Sequence, residues 1–124
     1  MHELRTQLTP WQYLELLQEM TAQGYELWAL NDGGDIKALA GIAFRTNLYF
    51  GRYLWVFDLV TKSSERSVGH GASLLSYIEE LAVQRGCDVV ALSSGLERID
   101  AHRFYEAKMG YEKVSFVFKK ELRD

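Results

Sequence analysis

The strongest constraint on the fold is a strand–helix–strand order in the middle of the chain. Residues 53–60 are almost continuously apolar, which is typical of a strand covered on both faces, and only Asp58 interrupts them. A helical apolar repeat follows over 71–85, and Gly86 then precedes a second apolar stretch, 87–92. One crossover helix between two strands implies a parallel pair. The predicted inward stripe of the helix is Leu74, Leu75, Ile78, Leu81 and Ala82.

The segment before these strands carries the signals of a helix start. Thr9 can cap the helix, Pro10 fits its first position, and Gln12 can complete a capping box. Apolar residues then repeat at helical spacing, with Gly24 placed to end the helix. We therefore predict an N-terminal helix that begins at Pro10.

The remaining segments predict strands and one more helix. Residues 25–30 and 36–44 form a hairpin around the turn 31–35. Residues 100–109 form a short helix that ends at Gly110. A last strand is predicted from the alternation of Val114, Phe116 and Phe118. The order predicts an α/β fold in which a central mixed sheet is flanked by helices on both faces, as a single domain over 1–124.

Composition excludes several classes of function. Of the 124 residues 48% are hydrophobic and 25% charged, which is ordinary for a globular domain. A net charge of −3 argues against a nucleic-acid binder, and the apolar runs are too short to span a membrane. The single cysteine, Cys87, suits a reducing cytoplasm, and the N-terminus lacks the apolar core of a signal peptide. The histidines and Cys87 have no metal-ligand spacing, so no metal is expected.

A glycine loop joins the central strand to the following helix. Gly69 and Gly71 allow the backbone to curl, so that successive N–H groups and the helix N-terminus can bind a pyrophosphate, and Arg66 can add a positive charge. A G-x-G pair alone is more often a plain turn. The mononucleotide P-loop is excluded by the lack of a Lys-Ser or Lys-Thr pair, and Leu74 replaces the third glycine of the dinucleotide fingerprint.

Two motifs together resemble those of the GNAT superfamily of acyltransferases. Arg66-x-x-Gly69-x-Gly71 resembles its acetyl-CoA pyrophosphate motif, Gln/Arg-x-x-Gly-x-Gly/Ala. The stretch 98–111 resembles its later signature, Asn-x-x-Ala-x-x-Phe/Leu-Tyr followed by Gly-Phe or Gly-Tyr. Both motifs fall within about half the chain. The sequence departs from the family pattern at His70, at Arg98 and in a shortened N-terminal strand and helix.

The resemblance implies an acetyl-CoA-dependent N-acetyltransferase with a GNAT-like fold. It implies that the backbone of Leu59, Val60 and Thr61 pairs with the pantetheine arm, with one amide, at Val60, as the oxyanion donor. It assigns the diphosphate to Arg66, Ser67, Val68, Gly69, His70, Gly71 and Ala72, mainly through backbone amides. It places Arg98, Ala101 and Phe104 among the remaining cofactor contacts.

Two residues are candidates for proton transfer. Tyr105 resembles the family tyrosine that protonates the departing thiolate, and its phenol stays protonated at neutral pH. Asp58 is the candidate base, because a carboxylate in an apolar strand is costly to bury and its pKa would rise toward a useful range. Alternatively, Asp58 hydrogen-bonds a neighbouring loop or binds the ammonium of the acceptor.

The acceptor is left open by the sequence. A primary amine of a small molecule or of a protein fits the chemistry, while a non-catalytic acyl-CoA sensor and a purely structural α/β domain are the alternatives. Arg45 and Arg52 could contact an anionic part of the acceptor or form solvated surface. An aromatic cluster could line an acceptor pocket or a homodimer surface, with strand core as the default: Tyr49, Phe50, Tyr53, Trp55 and Phe57.

Overall fold

The structure is a computed structural model that describes residues 9–61 and 69–123, apart from the side chain of Asp32. The chain divides into two compact units, Met1–Leu92 and Ser93–Asp124. The helices and strands of the first unit are α1 (Pro10–Ala22), β1 (Tyr25–Asp32), β2 (Asp35–Asn47), β3 (Gly51–Thr61), α2 (His70–Gln84) and β4 (Val89–Leu92). The second unit contains α3 (Ile99–Arg103), which continues into a π-helical turn (Phe104–Lys108).

Helix α1 begins with the predicted capping box. Gln12 N donates to Thr9 Oγ1 over 3.2 Å, and Thr9 N donates to Gln12 Oε1 over 2.9 Å, while Pro10 occupies the first turn. Gly24 follows the helix with φ +97°. The predicted start and end of this helix are therefore confirmed. None of its side chains is buried, and that of Trp11 is 77% exposed.

The hairpin between β1 and β2 closes through two glycines. Backbone pairing continues to Asp32 and Asp35, so the loop consists of Gly33 and Gly34 alone. Both have positive φ, +62° and +85°, as a type I′ turn requires. This turn matches the right-handed twist of the flanking strands and confirms the predicted hairpin.

The sheet is mixed, as predicted. Its strand order is β1-β2-β3-β4, with the first two neighbouring pairs antiparallel and β3 parallel to β4. The parallel pair runs from Tyr53 opposite Val89 to Val56 opposite Leu92, with α2 as the crossover between the strands. The central strand–helix–strand prediction is therefore confirmed.

The core lies between α2 and one face of the sheet. All five residues of the predicted inward stripe are buried, and Ile78 is fully so. On the sheet face toward α2 the buried side chains are Ala38, Ala40, Ile42, Leu54 and Val56, while the sixth buried side chain of the sheet, Ala43, belongs to the opposite face. The 3.6-residue period of α2 and the two-residue period of the strands thus bring their apolar positions together.

Alternate residues of β1 identify the two faces of the sheet. Glu26 and Trp28 face α2, since the Trp28 ring lies 5.6 Å from that of Tyr77 in α2, and Arg85 Nη1, at the C-cap of α2, donates to Glu26 Oε2 over 2.8 Å. Tyr25, one residue away, belongs to the opposite face, where the phenol of Tyr13 in α1 lies near enough to affect its pKa. We call this second face the open face of the sheet.

The prediction of a last strand is wrong. The short helix ends at Gly110 as expected, with φ +77°. Residues 112–123 then form neither helix nor strand, and Phe116 and Phe118 are 73% and 93% exposed. The alternation of apolar residues is present, but a strand needs a hydrogen-bonded neighbour, and no pairing of this segment occurs in the described residues.

Candidate active site

A β-bulge lies at the centre of strand β3. Gly41 of β2 pairs with Asp58, while the next residue, Ile42, pairs with Val56, so Phe57 is an extra residue on β3. A bulge bends its strand and redirects nearby side chains, and bulges are common beside functional sites. The bulge therefore marks the segment around Asp58 as a candidate site.

Strands β3 and β4 part at the same position. Their ladder ends at Val56 and Leu92, but β3 continues to Thr61. Along 57–61 the edge of β3 that faced β4 has no strand partner among the described residues. This open edge of β3 contains the backbone of Leu59, Val60 and Thr61, and its N–H and C=O groups can hydrogen-bond an extended ligand.

Helix α2 begins without a side-chain cap. Its N-cap, Gly69, has a left-handed backbone with φ +98° and ψ +7°. Among the described residues, no side chain makes a capping hydrogen bond to this helix end. The first helical bond runs from Ser73 N to Gly69 O over 2.9 Å, so the amides of His70, Gly71 and Ala72 precede the helical ladder. These amides and the helix dipole favour an anion. The predicted contacts Arg66, Ser67 and Val68 lie outside the described residues.

Asp58 stands on a partly buried part of the open face. Its side-chain Oδ1 is buried, although the residue as a whole is intermediate in exposure. The Asp58 charge lies close enough to Tyr25 to help raise the pKa of that phenol, after the larger effect of burial. Tyr25 therefore stays protonated and able to donate a hydrogen bond well beyond neutral pH.

Tyr25 and Gly41 were missed from the sequence. A β-carbon on Gly41 would lie 2.8 Å from the Tyr25 Cζ and would also overlap its hydroxyl. The absence of a side chain at Gly41 therefore lets the phenol cross β2, beside the residue that pairs with Asp58. A glycine inside a strand is a signal of such close approach. That signal was present in the pattern of β2.

Four of the five aromatic residues in the cluster predicted around the β2–β3 turn make ring contacts, and these contacts fall in two places. Tyr49, Phe50 and Tyr53 stack around the turn, with ring centroids 4.8 Å and 5.3 Å apart. Phe57 instead packs edge-to-face on Tyr25, with centroids 5.5 Å apart. Phe57 and Tyr25 thus form an aromatic pair on the open face beside Asp58.

The later motif lies within the second unit. Arg98 is the N-cap of α3, Ala101 lies within that helix, and Phe104 and Tyr105 begin the π-helical turn. The rings of Phe104 and Tyr105 lie 5.2 Å apart, and Tyr111 lies 5.9 Å from Tyr105. A π-turn at this position is notable, because such turns are frequent at functional sites.

His102 stabilises the loop that leads into α3. Its Nε2 lies 2.8 Å from the carbonyl oxygen of Gly95, and the ring is not buried. This contact gives His102 a structural role in the second unit.

In the described part of the chain, no three His, Cys, Asp or Glu side chains are arranged to hold a metal ion. Likewise, none of the described helices has the length and apolar character needed to cross a bilayer.

Comparison with known proteins gives consistent matches. The sequence profile of the acetyltransferase (GNAT) family matches residues 1–111. The uncharacterized N-acetyltransferase YhdJ of Bacillus subtilis is 44% identical over 98% of this chain and 87% of its own length. The aminoalkylphosphonate N-acetyltransferase of Salmonella typhimurium is 31% identical over 72% of this chain and 58% of its own length.

The fold also matches a known structure. A candidate acetyltransferase of Pyrococcus furiosus superposes with a TM-score of 0.80 over 96% of this chain and 83% of its own, at 21% identity. The family profile and the Bacillus subtilis relative show that the protein is an acyltransferase. The chain belongs to the GNAT family of acetyltransferases, a family that uses acetyl-CoA. The resemblance seen in the two sequence motifs is thereby confirmed.

Proposed function

We propose that the protein transfers the acetyl group of acetyl-CoA to a primary amine. The observation that carries the proposal is the open edge of β3 followed by the uncapped N-terminus of α2. The first can pair with the amides of a pantetheine arm, and the second can bind a diphosphate. Gly69 and Gly71, at the start of α2, belong to the family motif, and Arg66, Ser67 and Val68 are proposed to complete the diphosphate contacts.

The chemistry requires a base, an oxyanion donor and an acid. The neutral amine attacks the thioester carbonyl carbon, the C–S bond breaks, and one proton moves from the nitrogen to the CoA sulfur. Asp58 is the proposed base, acting directly or through water, and the amide of Val60 is the proposed oxyanion donor. Tyr105 is the proposed acid for the thiolate. Arg98, Ala101 and Phe104 are proposed to contact the cofactor.

The acceptor is proposed to be a small amine. The Salmonella relative is named for aminoalkylphosphonates, which are compact molecules with one amine. The partly buried surroundings of Asp58 and its neighbouring aromatic pair suit an acceptor of that size. Several predictions from the sequence stay predictions. They are the single domain, a homodimer, a cytoplasmic location, and the absence of metal, nucleic-acid and membrane partners.

Acetyl-CoA titration and a turnover assay test this function together. The protein is titrated with acetyl-CoA and with CoA by calorimetry, then assayed for thiol release with a panel of small amines. Mass spectrometry of the acceptor separates acetyl transfer from hydrolysis. We expect binding of both nucleotides and acetylation of at least one amine. The proposal is wrong if acetyl-CoA does not bind, or if it binds and no amine in the panel is acetylated.

A further inference from the structure

Arg45 lies against Phe57, one ring of the aromatic pair that borders Asp58. Its Cζ is 5.6 Å from the centroid of the Phe57 ring, within the range of a cation–π contact. None of the ion pairs formed among the described residues involves Arg45, and its side chain is exposed. The ring orients the guanidinium while its planar set of N–H donors stays available to an anion.

Phe57 connects this cation to the carboxylate. Phe57 contacts both Arg45 and Tyr25, and the phenol of Tyr25 crosses Gly41, the residue that pairs with Asp58. The open face therefore presents a positive group at Arg45, a negative group at Asp58 and the two aromatic rings that adjoin them. That arrangement matches a molecule with opposite charges at its ends.

We propose that this face is the acceptor site and that its substrate is a small zwitterionic amine. Asp58 binds the ammonium before its deprotonation, Arg45 binds a carboxylate, phosphonate or phosphate at the other end, and the rings contact the chain between them. This inference rests on the acetyl transfer proposed above. It adds the charge of the substrate and the residue that recognises it.

The electrostatics favour a zwitterion over a plain amine. The guanidinium of Arg45 offers nothing for a plain amine to bind, whereas the anionic group of a zwitterion can form a charge-assisted hydrogen bond with it. A charge-assisted hydrogen bond to a partly solvated arginine corresponds to about tenfold in affinity. Arg45 is therefore expected to act as a specificity determinant.

Arg52 provides a matched control. It is the other arginine beside the β2–β3 turn, and it pairs with Thr46, one residue along from Arg45 on β2. Neighbouring strand residues point to opposite faces, so Arg52 belongs to the face away from Phe57. Its carbonyl oxygen accepts from Asp88 N over 2.7 Å, at the start of β4.

The experiment compares ω-amino acids of increasing chain length with their primary amides, which carry the same amine and no anion. An ω-aminophosphonate series is assayed in parallel. We expect the wild-type protein to favour the best anionic amine over its neutral partner by about tenfold in kcat/KM, mainly through KM. Arg45→Gln should bring that ratio close to one, and Arg52→Gln should leave it at the wild-type value. Melting temperatures verify that both variants fold.

Each other outcome identifies which proposal fails. If neutral amines are acetylated as well as the anionic ones, the zwitterion inference is overturned while acetyl transfer stands. The zwitterion inference also fails if Arg45→Gln keeps the preference or if Arg52→Gln abolishes it. If no amine of either series is acetylated, the proposed function itself fails.

Discussion

Tyr25 crosses β2 directly over Gly41, where any β-carbon would meet the phenol ring. We therefore expect Gly41→Ala to displace Tyr25 and to lower the free energy of unfolding by about 1–3 kcal/mol, the usual cost of overpacking. Urea denaturation measures the change. In a Tyr25→Ala background the same substitution should cost much less, because the colliding ring is gone. An equal cost in both backgrounds would show that the ring is not the cause.

Gly69 and Gly86 separate backbone strain from ligand binding. They flank α2, they have φ of +98° and +80°, and a β-carbon at either would meet nothing within 4 Å. We expect Gly69→Ala and Gly86→Ala each to destabilise the fold by about 1–2 kcal/mol, the cost of a left-handed alanine. Only Gly69→Ala should also weaken acetyl-CoA binding, measured by calorimetry. Equal affinity in the two variants would refute the diphosphate assignment.

Tyr105→Phe tests the proposed acid. The substitution keeps the ring contacts with Phe104 and Tyr111 but removes the proton donor. We expect the turnover rate to fall by on the order of 100-fold, as for the loss of a general acid, while acetyl-CoA affinity is nearly unchanged. Tyr111→Phe, in the same ring cluster, is the control and should keep its rate. A fully active Tyr105→Phe protein would exclude the acid role.

The Glu26–Arg85 ion pair gives a pH dependence of stability. The hydrogen bond from Arg85 holds the pKa of Glu26 below its ordinary value of 4.5, and burial opposes this effect. A lowered folded-state pKa stabilises the protein above the unfolded-state pKa, and this contribution is lost as pH falls through the folded-state value. Both side chains are partly exposed, so Glu26→Gln should cost only about 0.5–1 kcal/mol at neutral pH.

Denaturation of Glu26→Gln across the acid range checks this expectation. The difference from wild type should shrink as pH falls below 4.5. Glu121→Gln is the control, because its pair with Lys119 is about four-fifths exposed on both sides and should change nothing at any pH. A Glu26→Gln effect that persists at low pH would mean that packing, and not charge, causes it.

Local patterns were sufficient to predict most of the fold. The capping box at Thr9, the stripe on α2 and the two glycines of the first hairpin each specify their element through nearby residues. The predicted strand around Phe116 failed because alternation describes a face of a strand, whereas strand formation depends on a neighbour distant in sequence. The bulge at Phe57 was hidden for the same reason, since register is a property of two strands.

The candidate site was predicted in part. Asp58 was identified because a carboxylate interrupts an apolar strand, and Gly69 because glycine precedes a helix. Tyr25 could not be assigned beside Asp58 from the sequence, because the two residues meet only through the pairing of β1, β2 and β3. For Arg45 the sequence leaves both an anion contact and solvated surface open, because its position over Phe57 depends on the bulge.

Strand β4 is held to the sheet by four residue pairs alone, whereas β2 and β3 are paired along most of their length. If β4 detached from β3, the antiparallel pairs β1–β2 and β2–β3 would stay intact. The amides of β4 should therefore exchange with solvent deuterium earlier than those of β2. A ligand bound along the neighbouring edge of β3 would oppose that local opening. We therefore expect acetyl-CoA to slow hydrogen exchange of the Val90 and Leu92 amides. Occupancy of the cofactor site would then determine how often β4 opens from the sheet.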